Sequence, residues 1–166
     1  MTALHEPPGY DCPFCRLLHG IETERNTLAD VVWRDERTAA FISRKWWDGN
    51  EGHAIVVPVE HVENLYSIGP GLLGAVYATA QRVASAMREA YGCPGTSTRQ
   101  HNEPAGGQDV WHFHVHVFPR WAGDRLYARD DDIGWTTPDQ RAPYAEKLRS
   151  AIELHESGSA ARNQVR

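Results

Sequence analysis

The chain has 166 residues, a formal net charge of -5 and a pI near 6.0, which gives no electrostatic footprint for nucleic acid or an anionic membrane and leaves a small molecule as the expected partner. Hydrophobic residues make up 41% of it, with six Trp, six Tyr and four Phe, enough for one cored domain plus an extension. The opening residues 1–10 lack a basic start followed by an apolar run, no later stretch approaches a membrane span, and three cysteines are too few and odd for a disulfide framework, so a cytoplasmic protein is expected.

Residues 1–10 read as disordered, and 13–19 as a short helix closed by Gly20. Two short apolar runs, 31–34 and 39–43, flank the polar residues 35–38 and suit a hairpin. A loop over 44–52 follows, and then a third strand over 53–59, stopped by Pro58 and Glu60. From Pro70 the period changes. Leu73, Val76, Tyr77, Ala80, Val83, Ala84, Met87 and Tyr91 recur at three and four, with Gln81, Arg82, Arg88 and Glu89 opposite. That is an amphipathic helix ended by Gly92 and Pro94, and its stripe is core. Cys93 reads as a lone thiol filling space beside Pro94.

Residues 96–102 form a fourth strand, and a Gly-rich loop over 103–109 leads into a fifth. Past Asp124 the chain turns acidic and irregular, then helical around 138–155, with a flexible tail over 157–166. Strands arriving in runs argue for an α+β fold: a five-stranded antiparallel sheet, one long helix, a short N-terminal helix and a C-terminal helical extension. The expected division is a cored domain over 11–128 and an extension over 129–166, which either closes a site or makes a subunit contact.

The fifth strand carries the chemistry. From Trp111 to Phe118 three of the nine histidines, His112, His114 and His116, alternate strictly with apolar residues, so the period of two sends Trp111, Phe113, Val115 and Val117 to one face and the imidazoles to the other. A row of rings spaced about 6.6 Å apart, about 13 Å in all, suits an extended anion such as a polyphosphate better than one tetrahedral ion. Just before it, Ala105, Gly106, Gly107 and Gln108 offer backbone amides and a side-chain amide to an anion.

These residues resemble the histidine triad superfamily, and GQDVWHFHVHVFPRWAGD is most similar to the fragile histidine triad and bacterial dinucleotide hydrolase branches. GHAIVVPVEHVENL and the CPFC start match as well, so that the resemblance covers roughly residues 11–128. It implies that His114 attacks the α-phosphorus of a nucleotide, that a nucleotidyl-histidine forms and is hydrolysed, and that His116 hydrogen-bonds a phosphate oxygen. Gln108 and the loop backbone at Gly107 would stabilise developing charge, with His53 behind them. Asn102, or His101 one position back, would contact the phosphates or leaving group. Two positions depart from the pattern. Asp109 stands where many members have Ser or Thr, and its carboxylate would repel phosphate if it faced the site. Ser43 stands where the family has a ribose-binding Asp or Asn, which shifts ribose binding to Ser43 itself or to Asp48 or Asn50 of a lengthened loop.

Cys12 and Cys15 read as a redox pair or half of a zinc site. Only eleven mostly polar residues precede them, which disfavours the redox reading. The resemblance supplies the other two zinc ligands, His61 and His112, making a closed structural Cys2His2 site. It also implies a homodimer with a continuous ten-stranded sheet. Related transferases carry Gln in place of the third histidine, so His116 favours a hydrolase over a nucleotidyltransferase; a zinc protein that binds nucleotides without turnover is the remaining alternative. Trp46, Trp47, Trp121 and Trp135 read as core or interface, with stacking on a base or covering the pocket as the sharper possibility.

Overall fold

The structure is a computed structural model that describes residues 5–23, 25–128 and 133–163. The short helix α1 (Pro13–Leu18) precedes β1 (Val31–Arg34), β2 (Thr38–Ile42), β3 (Lys45–Trp47) and β4 (Ala54–Pro58). Then come α2 (Pro70–Tyr91), β5 (Gly95–Gln100), β6 (Val115–Arg120), β7 (Ile133–Trp135) and α3 (Pro138–Asn163). Five strands form one sheet in the order β1-β2-β4-β6-β5, antiparallel at every pairing. The expected α+β architecture is therefore present, with element ends moved by a residue or two.

Both β2 and β4 are buried along their whole length, which is why they read as continuous apolar runs instead of alternating ones. Alternation instead divides them between two cores. Ala40, Ile42, Ala54 and Val56 meet Val76, Val83 and Met87 of α2, whereas Ala39, Phe41, Ile55 and Val57 meet Phe14 and Leu17 of α1. Gly92 takes φ +67 to end α2, as its position just past the last apolar repeat implies. Tyr77, placed by period on the apolar stripe, is instead 45% exposed.

The C-terminal helix joins the first of these cores through Ala145, Leu148, Ala151 and Ile152. Gly52 sits at φ +78, where an added Cβ would come 2.3 Å from the Tyr144 ring of α3, so the close approach just before His53 requires glycine. Arg141, fully buried, gives Nε and Nη2 to the Asp30 carboxylate at 2.7 and 2.9 Å and Nη1 to the Thr136 carbonyl at 2.7 Å. Its Nη2 also donates to the Arg25 carbonyl at 3.0 Å. Replacing Arg141 by Met is expected to cost about 3–5 kcal/mol, because Asp30 is left charged and unpaired in the interior. Urea unfolding of the two proteins measures it; a change under about 1 kcal/mol would mean that Asp30 finds water.

Four expectations change. Residues 44–52 are not all loop: β3 pairs with β7 in a second, two-stranded sheet, Lys45 opposite Trp135 and Trp47 opposite Ile133. The histidine strand begins at Val115, not Trp111, because the preceding amides bond elsewhere: Trp111 N to Tyr10 Oη, His112 N to Val110 O and Phe113 N to Val62 O. Residues 5–10 are docked, with His5 N donating to Glu63 at 2.8 Å and the His5 ring stacked on Trp111. Finally, α3 continues through Asn163, beyond the expected start of the tail at Ser157; residues 1–4, 129–132 and 164–166, on which parts of the other expectations fall, lie outside the described residues. No described helix is long and apolar enough to cross a membrane.

Candidate active site and metal centre

Pairing of β4, β6 and β5 places His116 between Ile55 and Arg99, on the sheet face away from α2. The face opens into a cavity of about 240 Å3 lined by His114, His116, His53, Arg99, His101 and Gly107 on one side and Phe14, Phe41, Ser43 and Ile55 on another. Lys45, Trp47 and Ile133 of the small sheet, with Arg44, Asp109 and Asn26, complete its wall. Period two accounts for β5: Arg99 and His101 reach the cavity, whereas Gln100 and Asn102 turn away.

His114 is 2% exposed. Its Nδ1 lies 2.7 Å from the His112 carbonyl. A carbonyl only accepts, so Nδ1 carries the proton and Nε2 keeps its lone pair. Burial also lowers the His114 pKa, against the raising effect of that carbonyl bond, so the ring is neutral near pH 7. Phe14 meets it edge-on at 5.4 Å and His116 at 4.9 Å.

His116 Nδ1 faces His53 Nε2 at 3.4 Å, and His53 stacks on Phe118 at 4.4 Å. His53 Nδ1 is buried without a hydrogen-bond partner among the described residues. An unmet acceptor is the less costly choice, so His53 Nε2–H donates to His116 Nδ1 and leaves His116 Nε2–H as a donor. Burial first, then the Arg99 charge, lowers the His53 pKa to about 3, and burial with His114 and His53 holds His116 well below its ordinary value. In the unfolded chain these rings titrate near 6.5. Because the folded pKa is depressed, the stability His53 contributes is present above about pH 6.5 and is lost as pH falls toward about 3. Chemical unfolding at pH 8 and pH 5 should differ by on the order of 1–2 kcal/mol for His53 alone, and a flat profile would contradict its neutral burial.

Other expected residues are placed differently. Gln108 turns inward, 5% exposed, with Nε2 donating to the Glu63 and Val110 carbonyls and Oε1 accepting from Glu103 N; it braces the loop and does not line the cavity. Asn102 accepts from Leu65 N at 2.8 Å and bonds Gln100, leaving the cavity position to His101, whose Nδ1 donates to the Gly106 carbonyl at 2.6 Å. Asn50 is fully buried on the Pro119 carbonyl and Asp124, and neither it nor Asp48 lines the cavity. Ser43 lines it, with its hydroxyl held by Lys45 backbone at 3.2 and 3.3 Å. Asp109 lies at the rim and pairs with Lys45 at 3.1 Å, which offsets the repulsion its charge would exert.

His112 leaves this cavity. Its Nε2 donates to the Pro58 carbonyl at 2.9 Å, which turns Nδ1 toward Cys12 Sγ at 3.4 Å and Cys15 Sγ at 3.6 Å. His61 Nδ1 stands 3.2 Å from Cys15 Sγ, with Nε2 held by Glu6 at 2.6 Å. All four donor atoms lie within 4.8 Å of one another. A tetrahedral ion with metal–sulfur bonds of about 2.3 Å and metal–nitrogen bonds of about 2.0–2.1 Å holds S and N about 3.6 Å apart, so the set fits one such ion. Both histidines also have the outer acceptor that fixes a ligating tautomer. Burial and the neighbouring Cys12 push the Cys15 thiol up to about 12, so paired thiolates here require a cation.

An antiparallel α+β sheet that sends His114 and His116 of an alternating His row into one cavity is the arrangement of a histidine triad protein. The HIT domain model matches residues 24–123, and the chain belongs to the HIT family. It is 29% identical over 129 residues to Protein hit of Bacillus subtilis, covering 76% of this chain and 80% of that one. Adenylylsulfatase HINT3 of Arabidopsis thaliana is 25% identical over 120 residues, 72% of this chain and 57% of that one. The crystal structure of a Zn-bound histidine triad family protein from Mycobacterium smegmatis superposes with a TM-score of 0.73 at 26% identity, covering 89% of this chain and 97% of that one. Outside the matched span, the wall residue Ile133 and the helix α3 come from the C-terminal segment. Sequence reading missed Phe14, Asn26, Arg99 and Ile133; of these, Arg99 alone carried a signal, its place two residues before His101.

Proposed function

We propose that the protein is a nucleotide hydrolase that cleaves AMP from a dinucleoside polyphosphate or another nucleotide conjugate. One observation carries it: His114 Nδ1 is tied to the His112 carbonyl, and its Nε2 lone pair has a cavity beside it. In the first step Nε2 attacks the α-phosphorus, the bond to the leaving group breaks, and a nucleotidyl-histidine forms. Water then attacks the same phosphorus and gives a proton to solvent, the phosphorus–Nε2 bond breaks, AMP departs with the new oxygen, and neutral His114 is restored. His116 Nε2–H donates to a non-bridging oxygen in both displacements. The basic residues Arg44 and Lys45 on the wall suit the charge of a polyphosphate. Similarity to an adenylylsulfatase supports an adenylyl group as the part transferred.

Zinc is the ion proposed for Cys12, Cys15, His61 and His112, supported by the Zn-bound relative; when bound it clamps the N-terminal segment to the sheet and closes all four coordination positions. The division into a nucleotide-binding domain over 11–128 and an extension over 129–166, the homodimer and the cytoplasmic location remain part of the same proposal. The test is incubation with adenosine and guanosine dinucleotides, AMP phosphoramidates and nucleotide sugars, followed by mass spectrometry. Mononucleotide release with a nucleotide adduct on His114 is the expected result. Tight nucleotide binding with no release and no adduct would favour the non-catalytic alternative.

A further inference from the structure

Hydrolysis of a nucleotidyl-histidine gains from a group that neither His114 nor His116 can be. Water attacking phosphorus becomes acidic as its oxygen bonds, and a side chain that takes its proton speeds the step. At that stage His114 Nε2 is bonded to phosphorus, His116 presents an N–H, and His116 Nδ1 already accepts from His53. Gln108 and Asn102 are held outside the cavity by other partners, and a side-chain amide takes no proton near neutral pH.

His101 is placed to accept it. Arg99 pairs with His116 and Gln100 with Val115, so the same register carried one step further sets His101 across from His114, just where the ladder stops. Its ring lines the cavity with His114, His116 and Gly107 and stands edge-on to His116 at 6.1 Å. Nδ1 donates to the Gly106 carbonyl at 2.6 Å, which leaves Nε2 with its lone pair. The loop is shaped around this imidazole: Gly107 has φ +85, and a Cβ there would come 3.2 Å from His101 Nδ1. Two other acceptors on the wall are worse placed. His53 Nδ1 is buried behind His116, and Asp109 lies at the rim, paired with Lys45 at 3.1 Å, with a charge that opposes its approach to phosphate.

We propose that His101 is the catalytic base of the second displacement, its Nε2 taking the proton of the attacking water. As the new oxygen–phosphorus bond forms, one O–H bond breaks toward His101 Nε2. The phosphorus–nitrogen bond then breaks with its electron pair returning to His114 Nε2, AMP leaves with the new hydroxyl, and protonated His101 passes its proton to solvent. This rests on the nucleotidyl-histidine reading and adds to it a residue that acts in one of the two steps only.

The test follows the full-length protein with the 4-nitrophenyl ester of AMP, whose coloured phenolate departs without a proton, so that only the second displacement calls on His101. His101→Gln keeps an N–H for the Gly106 carbonyl but cannot serve as a base. It should release about one nitrophenolate per chain in a burst as fast as that of the unmodified protein. Turnover after the burst should be slowed about 10^2-fold or more, with AMP accumulating on the chain in intact-protein mass spectra. His101→Ala should behave alike, and added imidazole should restore release of AMP itself, with no AMP imidazolide formed. Unchanged turnover in both variants, or burst and turnover slowed equally, would overturn the role; equal slowing would show that His101 only shapes the loop. Either result leaves the nucleotidyl-histidine reading intact. An unmodified protein that gives neither burst nor adduct would instead sink that reading, and the role of His101 with it.

Discussion

A His114→Ala protein is expected to lose nucleotide release by a factor on the order of 10^5 or more, with the adduct absent from its mass spectrum. The expectation rests on there being no second lone pair at the position of His114. His116 Nδ1 is engaged by His53 and its Nε2 bears the proton; His101 keeps an Nε2 lone pair, since its Nδ1 donates to the Gly106 carbonyl, but it stands after β5 with its ring 6.1 Å from His116, displaced from the place of His114. Water attacking directly lacks the oriented nitrogen lone pair and must perform in one displacement what the proposed His114 mechanism divides into two. His116→Ala should be milder, about 10^2–10^3, because it removes one donor to developing charge and leaves the nucleophile in place. Single-turnover kinetics with intact-protein mass spectrometry separates the two: the His116 variant accumulates a little adduct slowly, the His114 variant none. Adduct on another histidine in the His114 variant would move the nucleophile and sink the assignment.

Period explains what the sequence disclosed. Alternation from His112 to Val117 survives in the structure, with Phe113, Val115 and Val117 in the α2 core, although the ladder itself starts at Val115. Facing is set by the apolar residues, so it persists where the amides bond to Tyr10 and Val62 instead of a neighbouring strand. On β5 that guide is missing. Gly95–Gln100 has no apolar residue to mark an inward side, so the choice between His101 and Asn102 depends on its pairing with β6. β3 and β7 were illegible for another reason: each is three residues long and its partner is remote in sequence, so neither carries a local signal. Glu6 reads as part of a polar tail, and only its bond to His61 Nε2 gives it a place. Arg141 was unreadable too, since a helical Arg defaults to solvent unless its buried carboxylate is known.

The second large effect is expected at the metal centre. Cys12→Ser/Cys15→Ser should abolish a stoichiometry of about one zinc per chain and lower stability by about 3 kcal/mol, or about 10 °C in Tm for a chain of this size. Four contacts converge there: Cys12 caps α1, Cys15 lies within it, His61 follows β4, and His112 precedes β6. Without the ion, the buried Cys12 and His112 face the half-buried Cys15 and the exposed His61 with little to hold them, and the lever on α1 is lost. Hydrogen exchange should therefore quicken over residues 5–20 and stay slow in α2. Two links carry the disturbance to His114, the proposed nucleophile: the His112 carbonyl that accepts from His114 Nδ1–H, and Phe14, which sits between the two cysteines and packs edge-on against His114. A loss of about tenfold in kcat with KM less changed is the expected signature of a mis-set imidazole. Glu6→Gln, which keeps every direct ligand, should weaken metal affinity about 10–100-fold in a chelator competition. A purified protein without metal, whose double variant matches it in Tm and exchange, would mean that Cys12 and Cys15 are only reduced thiols beside two histidines.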